Sequence, residues 1–308
     1  MSLPKQDVVD AQFAAQIAVD HQRVNWDDVR STGYLIHQQF HYEYDGPIRD
    51  LRQRLVIIPP ERYGDQRLIT HRLECSSPTT EMRREIDRFG NLVIWLLVDQ
   101  VAREIDFTAW IVVEREREHR PTAVTGEVYH NVAFREFTPL TTPNADLRAA
   151  ALEIRRDQTT ELGVVRAINA WVYEYMTYTP DATGVRTSAA EAFALKQGVC
   201  QDYAHIMLTL CRLCAIPARY ISGHLLGEGG THAWVDVLVP DETYANRYVA
   251  LPFDPTNGNE PGLNYVTIAI GRDYGDVAPT SGSYTSPHAG QLSTRKRAAV
   301  TSVSYDSP

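Results

Sequence analysis

Cys200 stands where a helix is predicted to begin. Gly198 and Val199 precede it, and an apolar helical pattern occupies residues 201–214. Unpartnered backbone N–H groups and the positive end of the helix dipole converge at a helix start, which favours the thiolate, the nucleophilic form of cysteine. Cys200 is therefore a candidate nucleophile. A small residue that merely begins a helix is the alternative interpretation.

The other three of the four cysteines carry a weaker chemical signal. Cys211 and Cys214 lie on the apolar side of the predicted helix, and because free cysteine is often buried, packing is the favoured interpretation. Zinc would need two further ligands, and a thioredoxin-like pair would stand at a helix start rather than near its end. Cys75 stands alone, so the spacing does not resemble a disulfide framework. We expect no structural disulfide and no metal.

A predicted β-hairpin supplies a histidine and a carboxylate. The segments HAWVDVLV and RYVALPFD alternate apolar and polar residues, and apolar residues meet across the hairpin if Val239 faces Arg247. This register sets His232 opposite Asp254, within reach of a hydrogen bond. A slip of one residue would set apolar side chains against polar ones, so the pattern disfavours it.

His232 and Asp254 could serve the thiol of Cys200. A carboxylate fixes the tautomer and orientation of an imidazole, and the other ring nitrogen is then free to take a proton from a thiol. The three residues together form a Cys-His-Asp arrangement for nucleophilic catalysis. An isolated His–Asp pair on the surface is the alternative interpretation of the hairpin.

The first half of the chain is predicted to be a β-sandwich. At 308 residues the chain exceeds the roughly 150 residues at which a second domain is expected. Segments rich in branched and aromatic residues, separated by turn-forming stretches, predict strands in series. These segments are YLIHQQFHYEY, LRQRLVIIP, QRLITHRLEC, NLVIWLLV and IDFTAWIVVEREREH. We assign residues 1–31 to an extension and residues 32–125 to the sandwich.

The second half is predicted to be an α+β catalytic domain over residues 135–278. Its first residues, 135–144, suit a linker or crossover from the sandwich. Helical spacing of apolar residues comes first, with a capping box at Ser188 and Glu191 and a helix stop at Gly198. Three strand-like segments follow, which indicates helices packed on an antiparallel sheet. Residues 279–308 are mostly Ser, Thr, Gly and Pro, and they are predicted to be a flexible tail.

Composition excludes several classes of function. A net charge of −9 argues against general affinity for nucleic acid. The longest apolar run, LVIWLLV, is far shorter than the about 20 residues that span a bilayer, and MSLPKQDVVDAQ lacks the apolar core of a signal peptide. We therefore expect a cytoplasmic protein with no nucleic-acid or membrane partner.

Three blocks of the sequence carry a family resemblance. GVCQDYAH, GTHAWVDV and FDPTNG resemble the motifs of the transglutaminase-like superfamily, in which a cysteine, a histidine and an aspartate occur in that order in a papain-like α+β fold. Residues 34–60, DRFGNLV and TIAIGRDYGDVAPTSG resemble bacterial members, including their N-terminal β-region. The resemblance covers roughly residues 32–283. It implies that Cys200 is the nucleophile, His232 the general base and acid, and Asp254 the orienting carboxylate.

The resemblance also implies a reaction class. Such proteins act on amides: the thiolate attacks a glutamine or peptide carbonyl, and water or an amine resolves the thioester. The backbone N–H of Cys200 would hold the oxyanion, with Tyr178 or Gln197 as a second donor. Asp202 matches the block after the cysteine, although a first-turn carboxylate is also favoured simply by the helix dipole. We expect a peptide or protein substrate and no cofactor, since no acidic calcium loop is present.

Three functions remain open at this point. The first is a cysteine-dependent amide hydrolase, either a peptidase or a deamidase, and the second is a protein-glutamine amine transferase that forms cross-links. The third is a non-catalytic binding or scaffold module, against which the intact trio argues. Thr231 before the histidine is a mild departure from the family pattern. The altered approach to Asp254 is a second departure, and it bears on the shape of the substrate pocket rather than on the three residues. The oligomeric state is left open.

We predict that Cys200 is the only thiol that iodoacetamide alkylates quickly near neutral pH. Replacing the base, His232→Ala, should suppress the labelling because the imidazole no longer assists formation of the thiolate. Mass spectrometry of peptides after short exposure measures each thiol. Equal or faster labelling of Cys75 would remove the assignment of the nucleophile, and an unchanged rate in the variant would show that the imidazole is not coupled to the thiol.

Overall fold

The computed structural model describes residues 19–117, 121–228, 230–241, 243–244 and 246–305. The first strands are β1 (Val29–Tyr44), β2 (Ile48–Ile58), β3 (Arg62–Tyr63), β4 (Gln66–Cys75), β5 (Glu81–Ile86), β6 (Leu92–Val101), β7 (Glu104–Glu116) and β8 (Thr122–Val124). The later strands are β9 (Thr177–Tyr178), β10 (Gln197–Gly198), β11 (Ala218–Leu225), β12 (His232–Pro240), β13 (Tyr248–Phe253), β14 (Tyr265–Gly271), β15 (Thr280–Thr285) and β16 (Gly290–Tyr305).

The α-helices of the described residues are α1 (Gly126–His130), α2 (Ala145–Arg156), α3 (Glu161–Tyr175), α4 (Ala189–Leu195), α5 (Cys200–Leu213) and α6 (Tyr274–Val277). Short 3-10 turns occupy His21–Arg23, Trp26–Asp28 and Val132–Phe134. No helix in these parts of the chain is long and apolar enough to cross a membrane.

The predicted β-sandwich is confirmed as two antiparallel sheets. One sheet has the strand order β16-β1-β7-β4-β3 and the other has the order β15-β2-β6-β5. Apolar side chains from both sheets share one buried core, to which Phe40, Leu55, Leu96 and Phe107 belong. In β7, buried residues alternate with more exposed ones, as a strand with one face on a core requires.

The five strand segments predicted from composition correspond to β1, β2, β4, β6 and β7, whereas β5 was missed. Its sequence, EMRREI, is mostly charged and mostly exposed. Because β5 lies at the edge of its sheet, charged side chains there can face water and protect the open edge. Strand propensity and alternation therefore gave no signal for it.

The C-terminal strands correct the predicted domain boundaries. Residues 279–308 are not a flexible tail over their described part, because β15 pairs with β2 and β16 pairs with β1, one at an edge of each sandwich sheet. Pairing with an existing edge supplies hydrogen bonds that a Ser- and Thr-rich composition does not reveal. The sandwich thus contains residues 29–116 and 280–305. Of the predicted extension, residues 1–18 lie outside the described residues.

A third antiparallel sheet forms the α+β unit, with strand order β14-β11-β12-β13-β8. Since β8 pairs with β13, residues 122–124 belong to this unit. The predicted boundary at 125, which assigned them to the sandwich, is wrong. Helix α5 packs on β11 and β12 and is surrounded by α2, α3 and α4. Residues 201–212 of α5 are all buried. The predicted α+β class is confirmed.

Two buried amide side chains of the sandwich join it to the edge strand β14. Gln66 donates to the carbonyl of Thr267 and accepts from its N–H, both at 2.8 Å. Asn91 does the same for Ile270, at 2.7 and 2.8 Å. Each side-chain amide makes the two backbone hydrogen bonds that a neighbouring strand would otherwise make with one residue of β14. The sandwich therefore fixes the position of a strand in the α+β sheet.

We predict that Gln66→Leu lowers the free energy of unfolding by about 2–4 kcal/mol, because it leaves the buried N–H and carbonyl of Thr267 unpaired. Urea denaturation measures the change. Gln100→Leu is the matched control, since Gln100 is an exposed glutamine in a sandwich strand, and its effect should stay within about 0.5 kcal/mol. Equal effects of the two variants would contradict the role assigned to the buried amide.

Candidate active site

A short backbone segment places Cys200 at the first residue of α5. Helix α4 ends at Leu195 and Lys196 takes the left-handed conformation, with φ 56°, so Lys196 rather than Gly198 caps that helix. Gly198 lies in β10, which runs parallel to β9. Val199 is extended, and Cys200 follows it, partly exposed at the helix start. The predicted placement of Cys200 is confirmed.

Asp202 stabilises the start of helix α5 by binding the backbone of the residue before Cys200. It is buried, and its Oδ2 accepts the Val199 N–H at 2.8 Å and the Thr183 hydroxyl at 2.6 Å. A Cβ atom at Gly198 would clash with the same carboxylate, so a glycine is needed there. Burial raises the pKa of Asp202 and the two hydrogen bonds oppose that rise. Asp202 therefore positions the backbone that leads into Cys200.

His232 and Asp254 form the predicted pair in a different strand register. The Nε2 atom of His232 lies 2.7 Å from Oδ2 of Asp254. However, Val239 faces Val249 rather than Arg247, so the pairing is shifted by two residues from the predicted one. Continued to the strand end, this register sets Asp254 opposite Trp234 and diagonal to His232.

The register error has a simple cause. Side chains alternate with a period of two residues, so a two-residue shift keeps every side chain on its face and leaves the apolar alternation unchanged. Alternation excludes only odd shifts. The contact itself survives because diagonal neighbours on one face are still within reach of a long side chain.

The carboxylate of Asp254 is fully enclosed by donors. Besides His232, its Oδ2 accepts the Tyr265 hydroxyl at 2.7 Å and the Asn257 side-chain amide at 2.8 Å, and its Oδ1 accepts the Thr256 N–H at 2.9 Å. Burial raises the pKa of Asp254, but these donors and the imidazole outweigh burial and bring it below its usual value. Asp254 therefore remains an anion although its side chain is fully buried.

The other ring nitrogen of His232, Nδ1, lies beside Glu228, and Cys200 is close enough to the imidazole to influence its pKa. Nδ1 lies 2.9 Å from Oε2 of Glu228 but makes no hydrogen bond of good geometry. Burial lowers the pKa of His232, whereas interactions with Asp254, Cys200 and Glu228 raise it well above its usual 6.5. The arrangement favours an imidazolium beside the sulfur.

Tyr178 and Gln197 lie beside Cys200 on the paired strands β9 and β10. Burial and the charges of Cys200 and Glu228 raise the pKa of Tyr178, whose side chain is exposed. Gln197 has an exposed side chain, and among the described residues no hydrogen bond joins it to Cys200 or His232. The identity of the second oxyanion donor stays a prediction.

The three cysteines other than Cys200 are buried or partly buried thiols. All four cysteines are free. Burial raises the pKa of Cys75, Cys211 and Cys214, which keeps these thiols protonated. Cys211 and Cys214 are packed in the core, as predicted. Within the described residues, no group of three His, Cys, Asp or Glu side chains could hold a metal ion.

Three residues of the site were not assigned from sequence. Asn257 belongs to the quoted DPTN stretch, where an Asx turn could have indicated its contact with Asp254. Glu228 lies in GEGG, which the sequence interpretation treated only as a flexible loop. Tyr265 begins β14, and no local pattern indicates its contact. Its carbonyl accepts from the guanidinium of Arg115 at 2.5 Å, so the sandwich contacts the residue that binds Asp254.

Fold and site define a two-domain α+β protein of papain-like type with a cysteine, a histidine and an aspartate at one place. The Transglutaminase-like superfamily profile matches residues 148–250, which include Cys200 and His232 but not Asp254. The profile of the Bacterial transglutaminase-like N-terminal region matches residues 34–114. These matches agree with the resemblance seen in the sequence.

Known relatives extend the match over most of the chain. An uncharacterized protein of Mycobacterium leprae is 32% identical over 282 residues, covering 86% of this chain and 94% of the relative. One of Mycobacterium tuberculosis is 24% identical over 276 residues, covering 81% and 86%. A crystal structure from Cytophaga hutchinsonii, called a "putative cysteine protease", has a TM-score of 0.71 at 20% identity and covers 89% of this chain and 92% of that chain. The chain belongs to the transglutaminase-like superfamily.

We predict a pH dependence of stability from the His232–Asp254 pair, tested in a Cys200→Ser background where no thiol shares the proton. Because the folded-state pKa of His232 is raised, the native state holds a proton that the unfolded state releases above about pH 6.5. The free energy of unfolding should fall as pH rises above that value, by at most about 1.4 kcal/mol per pH unit. Below pH 3.8 the lowered pKa of Asp254 should reduce stability as pH falls.

The matched comparison adds Asp254→Asn to the same background. Without the carboxylate the pKa of His232 should fall, so the slope above pH 6.5 should flatten, while groups common to both variants cancel. Urea unfolding at pH 6.5, 7.5 and 8.5 gives both slopes. Parallel slopes would show that Asp254 does not hold the proton on His232.

Proposed function

We propose that the protein is a cysteine-dependent amide hydrolase or acyltransferase, acting on a peptide or protein as a peptidase or deamidase through a thioester on Cys200. One observation supports the proposal: a fully buried carboxylate binds one nitrogen of an imidazole whose pKa is raised by a cysteine at the start of a buried helix. Nucleophile, base and orienting group are the parts that acyl transfer by a thiol requires.

In the first half of the proposed reaction the amide carbonyl binds near the start of α5. The thiolate of Cys200 attacks the carbonyl carbon, and a C–S bond forms while the carbonyl oxygen becomes an oxyanion. The C–N bond then breaks, and the leaving amine takes a proton from the imidazolium of His232. A thioester, an amine and a neutral imidazole result.

The second half of the reaction returns the thiolate. Water gives a proton to His232 as its oxygen attacks the thioester carbon, and the C–S bond then breaks. A carboxylic acid leaves, and the thiolate and imidazolium are restored. An amine in place of water would yield a new amide by the same steps, so both outcomes belong to one mechanism.

The start of α5 provides the proposed oxyanion site. Backbone N–H groups in the first turn of a helix have no intrahelical partner, and among the described contacts the N–H of Cys200 donates to no other group. Such donors stabilise the oxyanion most when they are fixed before the reaction. Asp202 fixes this backbone through Val199, and we propose the Tyr178 hydroxyl as a second donor.

The proposal is tested by incubating the protein with a mixture of glutamine-containing peptides, with and without a small primary amine, and reading products by mass spectrometry. Backbone cleavage indicates a peptidase, conversion of glutamine to glutamate a deamidase, and amine incorporation a transferase. Cys200→Ala should abolish every product, since the nucleophile is lost. Cys75→Ala should leave turnover unchanged. Products that persist in Cys200→Ala would overturn the proposal.

A further inference from the structure

Glu228 places an additional negative charge against the reacting groups. Its Oε2 lies 2.9 Å from Nδ1 of His232, the ring nitrogen that does not bind Asp254. The side chain of Glu228 is 43% exposed, whereas that of His232 is 1% exposed. A molecule that enters the site from solvent therefore meets this carboxylate before it reaches the imidazole.

Hydrogen bonds hold the chain two residues before and two residues after Glu228. Leu226 donates its N–H to Asn264 at 3.1 Å, and the carbonyl of Gly230 lies 3.1 Å from Nδ1 of the buried His224. Gly227 turns the chain in the left-handed region, with φ 90°, a conformation that favours glycine. These contacts hold the described chain near Glu228, whose carboxylate contacts His232.

The charges at the site do not balance without a further cation. When Cys200 is a thiolate and His232 an imidazolium, Asp254 and Glu228 add two negative charges. Asp254 is enclosed by neutral donors and the imidazole. No arginine or lysine forms an ion pair with Glu228 among the described residues, and its ion-pair partner is His232.

We infer that Glu228 selects a positively charged group, such as a primary ammonium, on the amine side of the bond that the protein breaks or forms. The inference rests on the proposed function, because in that reaction the leaving or incoming amine exchanges its proton with Nδ1 of His232. A cationic group near that amine lies within reach of Oε2 of Glu228.

The test measures the charge felt at Cys200 without requiring turnover. Two methanethiosulfonate reagents of similar size, one with an aminoethyl cation and one with a sulfonatoethyl anion, form a mixed disulfide with a thiolate. The ratio of their second-order rate constants at Cys200 cancels the intrinsic reactivity of the thiol. In Glu228→Gln the ratio of cationic to anionic rates should fall by about fivefold, since the carboxylate is partly exposed and partly screened.

Two further variants make the comparison specific. Glu228→Asp keeps the charge and should keep most of the ratio. Glu153→Gln removes one negative charge from an exposed position on α2, away from the site, and should leave the ratio unchanged. The background Cys75→Ala in all variants confines the signal to Cys200, since Cys211 and Cys214 are buried.

Each outcome has a separate meaning. A ratio that is the same in wild type and Glu228→Gln overturns the inference, even if both rates change together, because Glu228 would then only hold the imidazole. Failure of Cys200 to react with either reagent would instead count against the nucleophile in the proposed function. Where amide turnover is found, cationic amines should outcompete neutral and anionic ones in the wild type but not in Glu228→Gln.

Discussion

The hydrogen bond between Asp254 and His232, removed from solvent, is the interaction on which the rest of the site depends. A buried carboxylate is costly unless donors surround it, and here Tyr265, Asn257 and the backbone after Asp254 provide them. The anion in turn raises the pKa of the imidazole and binds its Nε2 atom, which leaves Nδ1 beside Glu228. Loss of the carboxylate would therefore change both the protonation state and the orientation of His232.

The arrangement explains why the β-sandwich is not merely attached to the α+β unit. Strand β14 carries Tyr265, and the sandwich holds that strand through the amides of Gln66 and Asn91 and through the guanidinium of Arg115. A shift of the sandwich would move β14 and with it a donor to Asp254. In physical terms the domain contact and the proposed catalytic site share one strand.

Within the site, negative charge is divided between two different environments. Asp254 is fully buried and its hydrogen-bonding capacity is used, so it can orient but has no room for a ligand. Glu228 faces solvent and has its imidazole contact on one side only. Two carboxylates near one histidine can therefore have separate roles, one in positioning and one in recognition. The proposed function needs the first, and the further inference concerns the second.

The sequence by itself determined five strands of the sandwich, the helix that starts at Cys200 and the packing of Cys211 and Cys214, because propensity and apolar period are local signals. It also indicated the contact of His232 with Asp254, although in a different register. Only the tertiary structure decided the two-residue register, since a period of two cannot distinguish even shifts. It also decided the strands after residue 279 and the roles of Tyr265 and Glu228. Those depend on sheet edges and contacts between segments far apart in the chain, for which a local pattern holds no information.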